Sequence, residues 1–253
     1  MQQVTFTNSR NGRIVGTLYP GHFNTLIIMA HGFTNNQSSQ GRFEKLAQSF
    51  QHAGFSALTF DFSGCGKSVD DRITASKQVD DLKCAIAFAI SKGYQQIALY
   101  GHSLGSLICL RSFSPEIKTM VLSGALTGPM YYDWSAYYST EQMDELAEKG
   151  YITVPKSEGT RKQVLIDKQM LADFAEIDQK ELLQPVTCPV LIIHGNHVED
   201  EEENLLCQHS MAGMKYLSSD SKLEIIDGAT HRFSEHIDIL CEMATAWFDK
   251  YLS

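Results

Sequence analysis

Five consecutive residues, Gly101-His102-Ser103-Leu104-Gly105, place a serine between two glycines where an apolar run gives way to a helical pattern. This G-x-S-x-G spacing is typical of a nucleophile elbow, in which a sharp strand-to-helix turn lifts the serine hydroxyl clear of a sheet. The flanking glycines let the helix and the strand approach each other without a Cβ between them. The Leu104 N–H, at the start of the predicted helix, can stabilise an oxyanion in front of Ser103. The motif therefore predicts nucleophilic attack by Ser103 on an acyl carbon.

A serine hydroxyl needs a base to take its proton before it can attack. His231 is the candidate, because it follows an apolar strand late in the chain and lies on the glycine-containing loop 227–233. His102 is next to the serine, but a neighbour on such a turn points elsewhere. Four other histidines have no comparable context: His194, His197, His209 and His236.

Continuous apolar runs alternate with amphipathic runs along most of the chain, which predicts a mostly parallel central sheet with helices on both faces, an α/β fold. An opening pair of strands, 4–7 and 13–18, flanks Asn11-Gly12, a strong hairpin signal. The further strands are predicted at 25–30, 56–60, 97–100, 119–123, 190–194 and 223–226. The helices are predicted at 43–52, 79–91, 104–113, 202–217 and 234–252.

Residues 127–185 interrupt this alternation and are predicted to form an inserted lid between two core segments, 1–126 and 186–253. The segment contains a helical run at 141–149 and short strand-like runs at 151–154 and 163–166, around a Pro-Lys-Ser-Glu-Gly turn. A second helical run covers 168–177. Five aromatic residues near its start could wall an apolar substrate pocket or pack the lid onto the core: Tyr131, Tyr132, Trp134, Tyr137 and Tyr138.

The composition narrows the class of protein. The 253 residues are 43% hydrophobic and 20% charged, with a net charge of −9, as in an ordinary soluble globular protein. Without a basic stripe, neither nucleic acid nor an anionic membrane surface is an expected partner. No signal peptide or membrane span is seen. The six cysteines lack zinc-ligand spacing, which favours buried free thiols, a cytoplasmic location and no metal.

At four landmarks, in order, the chain resembles the α/β-hydrolase superfamily. They are His31-Gly32-Phe33, the stretch 61–68 (Asp-Phe-Ser-Gly-Cys-Gly-Lys-Ser), the elbow at 101–105, and the loop 227–233 (Asp-Gly-Ala-Thr-His-Arg-Phe). Within the superfamily it looks most like lidded carboxylesterases of the cinnamoyl (feruloyl) esterase and lysophospholipase-like branches. The resemblance implies a catalytic triad in the chain order serine, acid, histidine, and an oxyanion hole completed by the Phe33 N–H. It implies no cofactor.

The acid of the implied triad departs from the family pattern. The family usually places it a few residues after a His-Gly pair, in a pattern like H-G-x-x-D-x-x-V-P. Here Val198 occupies the usual aspartate position and the Val-Pro is absent. Asp200 is the preferred candidate and Glu199 the alternative, with Glu201, an acid on another loop, or no acid left open. The run 199–203 also reads as the solvated start of a helix, where acidic residues favour the dipole.

These residues predict a serine hydrolase that cleaves small-molecule carboxylic esters, with an apolar or aromatic acyl group, as a monomer or homodimer. A thioesterase, a peptidase or a carbon–carbon hydrolase would use the same triad. A non-catalytic ligand-binding homologue is the alternative from another class, favoured only by the displaced acid. A carboxylate within hydrogen-bond reach of the His231 Nδ1 would distinguish an enzyme from such a binder.

Overall fold

The computed structural model describes residues 1–157 and 159–252. Glu158, in the predicted lid turn, and Ser253, at the end of the second predicted core segment, lie outside this description. The strands are β1 (Gln2–Thr7), β2 (Arg13–Tyr19), β3 (Thr25–Ala30), β4 (Ser56–Phe60), β5 (Arg72–Ile73), β6 (Gln96–His102), β7 (Ile117–Ser123), β8 (Tyr151–Pro155), β9 (Gln163–Asp167), β10 (Val190–Gly195) and β11 (Lys222–Ile226).

The helices connect these strands. They are α1 (Arg42–His52), α2 (Ala75–Ser91), α3 (Leu104–Arg111), α4 (Trp134–Tyr137), α5 (Thr140–Lys149), α6 (Lys168–Asp173), α7 (Gln179–Leu183), α8 (Glu201–Gly213) and α9 (Ile237–Leu252). A short 3₁₀ turn, Met214–Tyr216, follows α8.

The main sheet has eight strands in the order β1-β2-β4-β3-β6-β7-β10-β11. The pairs β1–β2 and β2–β4 are antiparallel, and every later pair is parallel. Parallel strands end at the same edge of a sheet, so the loops after β3, β6, β7, β10 and β11 meet there. The register shows this directly, because Ala30 pairs with Gly101 and His102 pairs with Ser123.

Each central strand is buried on both faces, as expected for a sheet covered by helices on either side. Along β3, Leu26 and Ile28 belong to one buried cluster, together with residues of α2 and α3. Ile27 and Met29 belong to the other, together with residues of α1 and α9. The predicted α/β architecture, with a mostly parallel sheet between two layers of helices, is confirmed.

The segment between β7 and β10 carries a small second sheet. Strands β8 and β9 form an antiparallel hairpin, and β5, from the loop after β4, pairs in parallel with β9. Ile152 and Ile166 of this hairpin are fully buried in the same cluster as the core strands. The inserted segment therefore shares its hydrophobic core with the main sheet.

Three further features of the structure concern disulfide bonds, metal binding and membrane insertion. The six cysteines are free thiols, and all but the half-buried Cys84 are buried, as predicted. Within residues 1–157 and 159–252, no three His, Cys, Asp or Glu side chains are grouped so that they could hold a metal ion. In the same described part of the chain, no helix combines the length and apolar character needed to span a bilayer.

Candidate active site

Ser103 lies at the turn between β6 and α3, in a backbone conformation that side chains rarely adopt. Its φ is 55° and its ψ is −125°. Such a conformation costs on the order of 1–3 kcal/mol and persists only where the surroundings enforce it. Close packing of the turn enforces it here, because a Cβ on Gly105 would lie 2.0 Å from the Ala30 carbonyl oxygen. Helix α3 thus packs directly onto the end of β3.

Hydrogen bonds hold the turn from both sides. The Ser103 N–H donates to the Ser123 carbonyl at the end of β7, at 3.0 Å. The Ser106 hydroxyl donates to the Ser103 carbonyl at 2.6 Å and accepts from the Leu126 N–H at 2.7 Å. The strained serine is therefore tied to the end of β7 and to the loop that follows it, while its own side chain is only half-buried.

His231 lies on the loop after β11 and contacts the end of β7. A Cβ on Gly124 would lie 2.7 Å from the His231 Nδ1, so only a glycine leaves room for the ring there. Gly124 directly follows Ser123, whose carbonyl accepts from the Ser103 N–H. The nucleophile candidate and the base candidate thus both contact the two-residue segment Ser123-Gly124.

A buried carboxylate contacts the His231 imidazole. The Glu203 Oε2 lies 2.6 Å from the His231 Nδ1, and the Glu203 side chain has no exposed surface. Burial alone would raise the pKa of Glu203, but hydrogen bonds and positive charge from His194 and His231 bring that pKa down to about 2. Burial lowers the pKa of His231, and Glu203 more than offsets this, so the pKa of His231 is raised overall. Both directions indicate a strongly paired carboxylate and imidazole.

The sequence-based choice of Asp200 as the partner of the His231 ring is corrected by this geometry. Asp200 caps helix α8: its Oδ1 accepts from the Glu203 N–H at 3.0 Å and its Oδ2 accepts from the His231 N–H at 2.7 Å. Asp200 thus binds the backbone of His231, not its ring. The alternative, Glu199, is exposed and precedes the helix. The structure brings Glu203, which the sequence analysis did not single out, to the imidazole.

A sequence signal for Glu203 did exist. Helix α8 buries Glu203, Leu206, Cys207 and Ser210, which recur at the spacing of one helix face. A glutamate at the first position of an otherwise small and apolar stripe is expected to face the interior, even where the preceding residues form a solvated helix start.

His194 is the second histidine on Glu203, although its sequence context suggested no role. It is the penultimate residue of β10 and is fully buried, with Nδ1 2.8 Å from Glu203 Oε1 and Nε2 2.8 Å from the Ser210 hydroxyl. The Gly195 N–H also donates to Glu203 Oε1, at 2.9 Å. The two carboxylate oxygens therefore bind different groups: Oε1 contacts His194 and the Gly195 N–H, and Oε2 contacts His231.

The His102 ring packs against the His231 ring, with centroids 5.1 Å apart, and takes no part in the hydrogen bond between His231 and Glu203. Its Nδ1 lies 3.0 Å from the Ser123 hydroxyl. Burial, together with the positive charges of His231 and Arg42, lowers the pKa of His102 well below its usual value. His102 therefore stays neutral and adds no second positive charge beside the His231 ring. The Arg42 guanidinium donates to the Arg232 carbonyl and so fixes the loop that carries His231.

The two backbone groups expected to bind an oxyanion flank Ser103. Leu104 is the first residue of α3, so its N–H is at a helix N-terminus. On the other side, a Cβ on Gly32 would lie 3.3 Å from the Ser103 Cβ, which places the loop carrying Phe33 against the serine. His31 fixes that loop, because its Nδ1 donates to the Gly32 carbonyl and its Nε2 accepts from the Phe62 N–H.

The aromatic residues of the inserted segment form a cluster with Phe33. Trp134 contacts Tyr132, Tyr137 and Tyr138, at centroid distances of 4.7, 5.9 and 6.1 Å. Phe174, absent from the sequence-based set, lies 5.4 Å from Phe33 and 5.3 Å from Tyr132. We call these six residues the aromatic cluster: Phe33, Tyr132, Trp134, Tyr137, Tyr138 and Phe174.

One predicted pocket residue lies elsewhere. Tyr131 is 79% exposed, so it does not wall a pocket in this structure. Its neighbour Tyr132 points inward, and its hydroxyl donates to Glu202 Oε1 at 2.7 Å. The aromatic cluster is thereby attached to helix α8, one residue before Glu203.

The loop 61–68 is joined to the loop after β3 through the Asp61 carboxylate. The Asp61 carboxylate accepts from the Gln37 and Lys67 backbone N–H groups, at 2.7 and 2.9 Å. It also accepts from the Gln37 side chain at 3.1 Å. Asp61 thus joins the loop after β4 to the loop after β3 and supports the residues that flank Ser103.

Comparison with known proteins supports the fold and the family. An uncharacterized 31.7 kDa protein of the traX-finO intergenic region of Escherichia coli is 26% identical over 269 residues, which cover 90% of this chain and 91% of that protein. Among solved structures, the α/β-hydrolase GrgF from Penicillium sp. sh18 has a TM-score of 0.79 at 17% identity, with 99% and 98% of the two chains covered. Est1E from Butyrivibrio proteoclasticus, solved with ferulic acid bound, has a TM-score of 0.74 at 19% identity, with 98% and 99% covered.

The two solved structures, each less than 25% identical to this chain, establish the α/β-hydrolase fold. The family is established by a match to a sequence model. The sequence model of the family described as serine aminopeptidase, S33, matches residues 21–178, more than half of the chain. The matched region contains the strained serine turn, the His31-Gly32-Phe33 loop and the aromatic residues of the inserted segment. The chain therefore belongs to the serine aminopeptidase (S33) family and is an α/β-hydrolase.

Proposed function

We propose that this protein is a serine hydrolase that cleaves carboxylic esters of small molecules through Ser103, His231 and Glu203. One observation carries the proposal: the imidazole beside the strained Ser103 turn has its Nδ1 2.6 Å from a fully buried carboxylate. Such a carboxylate fixes the tautomer of a catalytic histidine and stabilises the imidazolium formed during the reaction. Its presence also favours an enzyme over a ligand-binding homologue.

The first chemical step forms an acyl-enzyme. The ionised Glu203 only accepts hydrogen bonds, so the His231 Nδ1 carries the proton and the Nε2 is free to act as base. The Nε2 removes the proton from the Ser103 hydroxyl as Oγ bonds to the ester carbonyl carbon. The resulting tetrahedral intermediate collapses when the imidazolium gives that proton to the leaving alkoxide. The alcohol departs and Ser103 keeps the acyl group.

The second step releases the acid by the same groups. The His231 Nε2 takes a proton from a water molecule, whose oxygen bonds to the acyl carbon. The imidazolium then returns the proton to Ser103 Oγ as the bond between the serine and the acyl carbon breaks. The carboxylic acid leaves and the free enzyme is restored.

In both steps the carbonyl oxygen becomes an oxyanion between the Leu104 and Phe33 N–H groups. Their fixed orientation costs no reorganisation when the charge develops, and one such donor is worth about 10²–10³ in rate. The tight packing of Gly32 against Ser103 supports this assignment, because it places the residue before Phe33 next to the nucleophile.

The acyl group is proposed to be apolar or aromatic and to bind under residues 127–185 acting as a lid. Phe33 supplies one proposed oxyanion donor through its backbone, and its ring lies 6.5 Å from Trp134 and 5.4 Å from Phe174. An acyl chain attached to Ser103 would therefore extend toward aromatic faces that favour apolar and planar groups. The ferulic acid bound by Est1E, a protein of the same fold, is a ligand of this kind.

A fluorophosphonate probe tests the nucleophile without any assumption about the substrate. We expect one covalent adduct per chain by intact mass on the wild type, none on Ser103→Ala, and an unchanged adduct on Ser91→Ala, an exposed serine at the end of α2. Failure of the folded wild type to react with both this and a smaller organophosphate would refute the serine-hydrolase proposal.

A substrate panel then separates the reaction classes. The panel should vary the acyl group and the leaving group independently. It should contain phenyl, cinnamoyl, butyryl and decanoyl esters, the matching thioesters, and an amino-acid arylamide. Ester cleavage with the highest kcat/KM for the cinnamoyl or decanoyl member is the expected result. Cleavage of the arylamide alone would replace the ester proposal with an aminopeptidase activity.

A further inference from the structure

A chain of buried polar side chains runs from the imidazole of His231 into the interior of the protein. Beyond Glu203 it continues to His194, Ser210 and Thr127. The His194 Nε2 lies 2.8 Å from the Ser210 hydroxyl, which lies 2.9 Å from the Thr127 hydroxyl. Glu203, His194, Ser210 and Thr127 are all 0% exposed. Side chains of this kind are costly to bury unless every member is satisfied, so the whole chain must be held in register.

Only one arrangement of protons satisfies the chain when His194 is neutral. The Glu203 carboxylate accepts but cannot donate, so the His194 Nδ1 carries the proton and donates to Glu203 Oε1. The Nε2 must then accept from the Ser210 hydroxyl, and Ser210 in turn accepts from Thr127. Every hydrogen bond from Thr127 to Glu203 therefore points the same way, toward the carboxylate.

The length of the Glu203 side chain makes such support necessary. A glutamate has one more rotatable bond than an aspartate, and Glu203 extends from the first turn of α8 to reach a histidine on another loop. The His231 contact uses only Oε2, which leaves rotation of the carboxylate about its last bond unrestrained. His194 and the Gly195 N–H bind Oε1 at 2.8 and 2.9 Å and so fix the plane of the carboxylate.

We propose that His194 is a positioning residue for the reaction: through Nδ1 it orients the Glu203 carboxylate toward His231, while Ser210 fixes the tautomer that makes this possible. The inference rests on the proposed function, since it assigns a role within the same site. His194 does not contact the substrate or the reacting atoms. Its effect is exerted on the geometry of the hydrogen bond between Glu203 and His231.

Three substitutions of His194 test the proposal. His194→Asn places an amide N–H near the position of Nδ1, whereas His194→Gln places it near Nε2, and His194→Phe keeps only the ring. We expect His194→Phe and His194→Gln to lower kcat by about 10²-fold with KM nearly unchanged, the loss typical of a misplaced catalytic group. His194→Asn should remain within about tenfold of the wild type. His209→Phe should leave kcat unchanged, because His209 lies on α8 but is not one of these hydrogen-bonded side chains.

A signal that needs no turnover provides the second measurement. The proton NMR spectrum should contain a low-field resonance from the His231 Nδ1 proton, identified by its absence from His231→Gln. We expect that resonance to persist in His194→Asn and to shift upfield or broaden in His194→Phe. If His194→Phe does not fold, His194→Gln and Ser210→Ala supply the same comparison, with the smaller effect expected for Ser210→Ala.

The outcomes separate the two proposals. Lack of fluorophosphonate labelling of the wild type would overturn the proposed function, and the NMR resonance would still decide whether His194 orients Glu203. A folded His194→Phe or His194→Gln with wild-type kcat per titrated serine and an unchanged resonance would overturn the positioning role. Equal losses in His194→Asn and His194→Gln would also overturn it, because the donor at Nδ1 would then not matter.

Discussion

The Ser103 turn and the Glu203 helix face each other across His231, but different forces hold them in place. The turn is fixed by backbone sterics: a serine with φ 55° and glycines that meet backbone atoms, including the Ala30 carbonyl at the end of β3. Glu203 is fixed by hydrogen bonds between side chains, chiefly those with His194 of β10 and His231 of the loop after β11. The first kind of site is written as a short motif. The second depends on hydrogen bonds that can be removed one at a time, which makes it the more sensitive half of the proposed catalytic site.

Replacing the Glu203 carboxylate should give the largest loss of activity, because it removes the partner of the His231 ring and leaves the Ser103 turn unchanged. Glu203→Gln keeps the size of the side chain but removes the charge that stabilises the His231 imidazolium. We expect kcat to fall by about 10³–10⁴-fold, with the Ser103 turn intact, measured by initial rates on the best ester of the panel.

Asp200→Asn is the matched control for that substitution. Asparagine has one acceptor oxygen where Asp200 uses two, so it can cap α8 or accept from the His231 N–H but not both, and we expect about 1 kcal/mol of lost stability. The accompanying loss of rate should stay within about tenfold, since the ring keeps its carboxylate. A larger loss for Asp200→Asn than for Glu203→Gln would restore Asp200 as the acid.

Gly124 lies between the Ser103 turn and the His231 ring, and a methyl group there should push the ring away from the turn. Gly124→Ala meets a φ of 52° and a His231 ring atom at 2.7 Å, so the imidazole must move. We expect a loss of kcat of about 10²-fold, as for other small displacements of catalytic groups. Gly93→Ala has a comparable φ of 90° and nothing within 4 Å of the new Cβ. It should cost similar stability, measured by urea unfolding, at unchanged kcat.

Acid should weaken the Glu203 half, because that half depends on an ionised carboxylate. The folded pKa of Glu203 is about 2, below its ordinary value of 4.5, so its contribution is present above the ordinary value and is lost as the pH falls toward 2. We expect the unfolding free energy to drop by about 2 kcal/mol more for the wild type than for Glu203→Gln between pH 5 and pH 3.

Urea titrations of both proteins at the two pH values measure that difference. Parallel pH dependence in the two proteins would mean that the Glu203 carboxylate does not favour the folded state as its paired environment requires.

The smallest effect should come from the contact between the aromatic cluster and α8. Tyr132→Phe removes the hydroxyl that donates to the exposed Glu202 and leaves the ring stacking intact. A partly exposed hydrogen bond contributes about 0.5–1.5 kcal/mol, so we expect KM to rise about threefold at nearly constant kcat. Tyr131→Phe, at a hydroxyl that faces solvent, should change neither constant. Equal kinetics for the two variants would show that the attachment to α8 has no part in substrate binding.

The sequence predicted most of the fold because its long elements have clear periodicity. The β1–β2 hairpin, the inner strands and helices such as α2 follow directly from apolar patterns and turn residues. The elements that escaped prediction are short: α4 has four residues, α7 has five and β5 has two. Segments of that length contain less than two turns or a single pair of contacts, so they carry no periodic signal. Helix α6 also ends at Asp173, four residues before the predicted end.

The site was predictable where its geometry is local. Ser103 and His231 were identified from adjacent residues and from strand ends, and the structure brings both to the end of β7. Asp200 is predicted because the family places its acid a few residues after a His-Gly pair and because a short carboxylate orients imidazole well, yet it caps the helix that carries Glu203. The distinction between these two carboxylates depends on which helix face packs inward. His194 gave no signal at all, because its role arises only when β10 and α8 are packed together.

The pairing of β5 with β9 has a consequence for recombination between related proteins. Because Arg72 and Ile73 complete the sheet of the inserted segment from 54 residues before it begins at 127, that segment is not a self-contained cassette. A chimera that exchanges residues 127–185 alone would present a foreign hairpin to a strand shaped for another sequence. Transplanting a new specificity onto this scaffold therefore calls for exchanging two separated stretches of chain at once, and natural variants of this region are expected to change in the same coordinated way.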